Sequence, residues 1–281
     1  VNAVAVAGGL AYAGLVNGTI AVVDLGTGAV LERLRLPGNP QLQDLAIERE
    51  TLFALALGRL FAIPLDEGEL QVSGTVDSSG SIGAGQQRLR LFVAGTRAYA
   101  THTSGYHVFD VSDRTRLTSL LANNTQQFGW KQIVENGSGL GVAMVAPNST
   151  PDGPHHLSLY ALGADGLGTG FLTTLETPGR ATAVSLYNGL AYVADAEAGL
   201  QVINYLAFDS NGQRPTLAIE ASFPLNPAQA EEGKLVRVTA RVTDDVQVRN
   251  VEFLVDGRRV AIDGNYPFQT TFVTPALARG S

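Results

Sequence analysis

Cysteine is absent from the 281 residues, which removes disulfides, thiolate metal sites and cysteine nucleophiles together. Positive charge is scarce. Lys and Arg number 19 against 26 Asp and Glu, and the net charge of -7 repels phosphate backbones, so no nucleic-acid partner is expected. Long apolar runs are missing too. The longest candidate, TLFALALGRLFAIPL, is short and carries Arg59, whereas a spanning helix needs roughly 20 apolar residues, so no membrane span is expected. A charged-then-apolar leader is not seen, and the sequence opens at Val1 without Met, so it reads as a processed protein or a piece of a longer one. What is plentiful is glycine, at 32 residues, and with modest charge that points to many tight turns between short strands.

The strands repeat. Tyr192 is preceded by Val184-Ser185-Leu186 and followed, after a turn, by Leu200-Gln201-Val202-Ile203-Asn204. The same order surrounds Tyr12, Phe53 and Tyr99, and a weaker copy centres near Val142, where LGVAMVA precedes an inserted loop and HLSLY supplies the partner strand. These anchors lie 41 to 50 residues apart, the period of four-stranded propeller blades. Leu190 to Ala194 is apolar at nearly every position, so both faces of such a sheet need cover. Blades packed around an axis provide it and protect strand edges. The fold expected for residues 1–205 is therefore an all-β propeller of about five recognisable blades.

GLAYVADAEAGLQVINY (189–205) resembles the LVIVD-type repeat of bacterial and archaeal cell-surface proteins, a family of β-propellers. The resemblance implies an extracellular or cell-surface location, and no defined activity. After a turn-rich linker at 206–215, residues 235–242 alternate, with Val236, Val238, Ala240 and Val242 on one face, as in a strand with one wet side. Asp256-Gly257 closes a hairpin. TARVTDDVQVRNVEFLVDGRRVA resembles the middle of bacterial Ig-like domains. Residues 216–281 thus read as an Ig-like β-sandwich module. It is incomplete, since about five strands are visible where a sandwich has at least seven. The fifth blade also lacks an obvious outer strand. Either more sequence completes both units, or strands are donated by another chain.

Few residues suggest chemistry. His102, Ser104, His107 and Asp110 fall close together, but Asp110 takes the place of Asp24 and Asn204 in the repeat, where a short polar side chain holds a turn. His107 aligns with Ala21, Phe61 and Gln201, and no nucleophile-elbow pattern surrounds the serine. No catalytic residue is assigned. His102 is a candidate for a binding rim, as is Trp130, the single tryptophan, which could stack a sugar or pack in a seam. His155 and His156 follow Asp152 as candidate metal ligands, although neighbours in a strand point to opposite faces. Asp244 and Asp245 could join a Ca2+ site, or hold a polar turn. The glycine-rich stretches SSGSIGAGQQ, GSGLG and GLGTG lack phosphate-loop spacing. No cofactor is expected beyond possible Ca2+.

Two functions fit. One is an extracellular or cell-surface interaction protein, its propeller a binding or assembly platform for a protein or glycan and its Ig-like module a spacer, with self-assembly through unfinished sheet edges. The other is an exported hydrolase- or lactonase-like enzyme with its site at the central channel.

Overall fold

The computed structural model describes residues 1–66, 68–78, 88–125, 127, 129–146, 154–163, 165–168, 170–206, 209–223 and 230–276. Among these, five antiparallel meanders follow one another. Blade one comprises β1 (Ala3–Ala7), β2 (Leu10–Gly14), β3 (Thr19–Asp24) and β4 (Val30–Arg35). Blade two comprises β5 (Leu42–Glu48), β6 (Thr51–Ala56), β7 (Arg59–Pro64) and β8 (Gly74–Asp77). Blade three holds β9 (Leu91–Ala94), β10 (Arg97–His102), β11 (Gly105–Asp110) and β12 (Thr118–Asn124). Blade four holds β13 (Gln132–Glu135), β14 (Leu140–Val145), β15 (His156–Ala161) and β16 (Gly170–Leu175). Blade five has three strands, β17 (Ala183–Tyr187), β18 (Leu190–Ala194) and β19 (Leu200–Ile203).

The first strand of each blade lies innermost, with β1 packed on β5, β5 on β9, β9 on β13 and β13 on β17. Side chains reach across these inner strands to backbone groups that their own sheets leave unpaired. Asp44 accepts from the Leu91 N–H at 2.9 Å, Gln132 from the Val184 N–H at 2.9 Å, and Asn2 donates to the Leu42 carbonyl at 2.6 Å. Buried backbone donors are costly unless met, so these links fix blade spacing near the axis. Asn188-Gly189 and Asp256-Gly257 turn with positive φ at both residues, the backbone that two-residue hairpins prefer. Bulges recur between the third and fourth strands of blades one, three and four, a regularity that adds twist at the same radius.

Tyr12, Phe53, Tyr99 and Val142 are 5%, 2%, 1% and 0% exposed. Each points into the seam with the next blade and belongs to a separate apolar cluster. Four clusters therefore join five blades, and among the described residues none joins blade five to blade one. The expectation that both faces of Leu190–Ala194 are covered is corrected here. Ala191 and Val193 are buried against blade four, while the face bearing Tyr192 packs on no described blade. The blades form an open arc.

The Ig-like module has a sheet of β20 (Thr216–Ala221), β21 (Leu235–Thr243) and β24 (Gln269–Val273), and a hairpin of β22 (Val251–Val255) and β23 (Arg258–Asp263). Its own small core gathers Ala240, Val242, Val251, Phe253 and Phe268. No described helix is long and apolar enough to cross a membrane.

Candidate functional site

In a meander the turns after first strands all emerge at one end of the propeller. Four of them, Arg49-Glu50, Gly95-Thr96, Gly137 to Gly139 and Asn188-Gly189, form a seat for the Ig-like module. The Asn188 N–H donates to the Gly264 carbonyl at 2.9 Å, and the Val248 N–H donates to Ser138 Oγ at 3.1 Å. Asn250 donates to the Asn188 side chain at 2.8 Å, and Arg237 pairs with Glu50 at 2.8 Å. Tyr266 lies against Gly137 so closely that a Cβ there would overlap its ring, and Gly137 sits at φ 80°, where a side chain is strained in any case.

Beside Tyr266 the two units enclose a cleft of about 490 Å³, lined by Arg49, Glu135, Ser138, Arg241 and Asp244 among others. Two carboxylates lie near it. Burial pushes Glu48 up to about 7 against the pull of Arg49, a backbone bond from Gly95, and Arg237. Burial likewise raises Glu135, against a hydrogen bond from Tyr99 and the charge of Arg97. Burial raises the Tyr266 hydroxyl to about 12, with Glu135 and Glu48 adding to the shift. Removing a charged group from water disfavours its ionised form, so the seat is less acidic near neutrality than its residues suggest.

The residues singled out from sequence lie elsewhere. Trp130 is 0% exposed, 5.1 Å from the ring of Tyr106 and 4.9 Å from Tyr160, and its indole N–H reaches Thr125 Oγ1 and the Gln127 carbonyl. The rim role is corrected for this residue: with no open ring face it packs the seam between blades three and four. His102 is 6% exposed and its Nδ1 accepts from the Ser104 N–H at 3.3 Å, so it is corrected from rim residue to turn support. His107 contacts Ser119 at 2.7 Å rather than Ser104, burial lowers it to about 4, and Asp110 pairs with Arg97 at 3.5 Å. No triad is assembled.

His155, 1% exposed, meets the Gly129 carbonyl at 2.8 Å, while His156 accepts from the Thr177 N–H at 3.2 Å. Asp244 accepts from the N–H groups of Val246 and Gln247, and Asp245 accepts from Asn211 at 2.7 Å. Among the described residues no group of three or more His, Asp or Glu is placed to hold a metal. Asp152 and most of SSGSIGAGQQ lie outside the described residues. The seat itself escaped sequence reading because its pairs are 62 to 187 residues apart. The one local signal was the Asn188-Gly189 dipeptide.

Residues 178–218 match the LVIVD repeat and residues 215–281 match the bacterial Ig domain. Among curated proteins none matches the chain. BamB from Moraxella catarrhalis aligns at 16% identity and TM-score 0.52, over 71% of this chain and 57% of its own. The chain therefore spans a little over half the length of that protein. U3-55K aligns at 11% identity and TM-score 0.48, over 66% of this chain and 57% of its own. The BamB likeness supports the propeller fold alone, and the U3-55K likeness adds nothing to it. The chain is an all-β protein in which propeller blades, the last carrying an LVIVD repeat, lead into a bacterial Ig domain.

Proposed function

We propose that this is an extracellular or cell-surface interaction protein whose propeller is a platform for a protein or glycan, with the Ig-like module as spacer. The propeller and Ig-like architecture is consistent with a surface or interaction protein. One observation carries the reading: the Ig-like module is held on the inner turns of blades two, four and five by hydrogen bonds and the Arg237–Glu50 ion pair, with Tyr266 reaching Gly95 of blade three. One end of the blade arc is thereby taken up internally. The loops after β2, β6, β10 and β18, at the opposite end, are left to face a partner, as propeller loops on a rigid scaffold commonly do. The test is protease added to intact cells that make the protein with an epitope tag in the Ig-like module. The epitope is expected to disappear while a cytoplasmic marker survives. An epitope that resists until the cells are lysed overturns the reading.

A further inference from the structure

The cleft between the Ig-like module and the blades has two walls, and each presents polar groups that the protein itself leaves unmet. On the propeller side Gly95, Gly137, Gly139 and Gly163 line it, so a ligand can approach their peptide groups without meeting a side chain. Glu135 stands in the same wall. Its Oε2 accepts from the Tyr99 hydroxyl at 3.1 Å, and burial shifts the carboxyl toward its neutral form, which donates as well as accepts. From the module comes the Tyr266 hydroxyl, close enough to Glu135 and Arg241 to be shifted by both, yet it makes no hydrogen bond to a described residue. A hydroxyl withdrawn from water ordinarily has a partner, so this one is open to a ligand.

Charge narrows what that ligand is. Arg49, in the turn after β5, lies 3.8 Å from Glu48 and 4.0 Å from Glu220, and its guanidinium makes no hydrogen bond to a described residue. Glu220 is already held by Arg241, and burial keeps Glu48 protonated up to about 7. Two guanidinium groups therefore share one full carboxylate, which leaves a single positive charge in excess on that side of the cleft. One carboxylate answers it with a charge-assisted bond, whereas a doubly charged phosphate would also face Glu135 and Asp244. Thr96 and Thr239 add hydroxyls to the lining, groups that both donate and accept, as ring hydroxyls of a sugar do. The volume of about 490 Å³ falls within the roughly 300–1,000 Å³ of small-ligand pockets. We infer that the cleft is a binding site for a sugar acid, a hydroxyl-rich ring carrying one carboxylate, with the carboxylate on Arg49 and the ring hydroxyls on Glu135 and Tyr266. Such a ligand touches both units and so holds the module on its seat. The site is separate from the loops that face a macromolecular partner, and neither reading rests on the other.

Isothermal titration calorimetry on the 281-residue chain tests the inference with glucuronic, galacturonic and N-acetylneuraminic acids, and with glucose and inorganic phosphate for comparison. At least one acid is expected to bind at one per chain, about tenfold or more tighter than glucose or phosphate. Tyr266→Phe removes only the hydroxyl and should weaken that acid by about tenfold. Arg49→Asn supplies a residue that tolerates the positive φ of 48° at this turn, and it should abolish the preference for the acid over glucose. An absence of saturable heat with all three acids overturns the inference. Phosphate bound as tightly as the acids overturns it in favour of a bare anion site, and glucose bound as tightly overturns it because the carboxylate then plays no part. An affinity for the acid that neither substitution changes overturns it as well, since the ligand then sits elsewhere.

Discussion

The seam between blades three and four and the seat of the Ig-like module are both contacts between neighbouring units, yet they are built from opposite materials. The seam is a run of packed rings, Phe92, Tyr99, Tyr106, Trp130, Tyr160 and Phe171, each centroid within 6.3 Å of the next. The Tyr106 hydroxyl reaches the Gly168 carbonyl, while the buried Tyr160 hydroxyl has no hydrogen-bond partner among the described residues. The seat is made of backbone and side-chain hydrogen bonds and two ion pairs, Arg237–Glu50 and the longer Arg49–Glu220, with Tyr266 its main aromatic contact. Burial of large rings scales with area and holds in any solvent condition that keeps water out. Exchanging hydrogen bonds with water changes little on net, about 1 kcal/mol each. The blades should therefore behave as one cooperative body, and the Ig-like module as a second body that can leave its seat first.

The largest expected effect lies in the seam. Trp130→Ala opens a cavity among the rings and should cost about 3–5 kcal/mol in denaturant unfolding, moving blades three and four together. A loss confined to one blade would break the contrast. Next comes the seat. Gly137→Ala strains a positive φ and drives a Cβ into Tyr266, whereas Gly199→Ala carries similar strain at φ 75° with nothing within 4 Å. The excess of the first over the second should reach about 2 kcal/mol, and small-angle scattering should show a displaced Ig-like module only for Gly137→Ala.

The pH dependence is third. Glu48 keeps its proton in the folded state up to about 7, where the unfolded chain loses it near 4.5. Between those values the folded state binds more protons at Glu48, so the stability this group contributes is greatest below pH 4.5 and falls as pH rises through that window, levelling off above 7. The drop should be about 2–3 kcal/mol, and Glu48→Gln should flatten it. A slope unchanged by that substitution would show that the proton sits elsewhere. The smallest effect belongs to Arg237→Ala. Its pair with Glu50 is 2.8 Å long but half in water, and screening limits such pairs to under about 1 kcal/mol, visible as a modest salt dependence of module docking.

Much of the seam is legible in the sequence. The repeated order of strand segments marks Tyr12, Phe53, Tyr99 and Val142 as anchors, and each is the residue that enters the next blade. Asp24 and Asp110 were read as turn holders, and their carboxylates do accept from the Thr27 and Ser112 N–H groups. Periodicity reports which residues share a face, since alternation is a property of one strand. It does not report what lies opposite that face. Trp130 was therefore left between rim and core, the cover over Tyr192 was assumed, and the seat, whose partners are far apart in sequence, was invisible.

The most direct test of the contrast is native-state hydrogen exchange on the intact chain. Amides of β10 and β14, beneath the rings, should exchange only with the free energy of global unfolding. The Asn188 and Val248 N–H groups, which bridge to the Ig-like module, should exchange through a smaller opening, and Gly137→Ala should remove their protection while leaving β10 and β14 unchanged. If the bridging amides instead share the free energy of the blade interiors, and lose it only when the blades unfold, the Ig-like module is part of one cooperative body and the account is wrong.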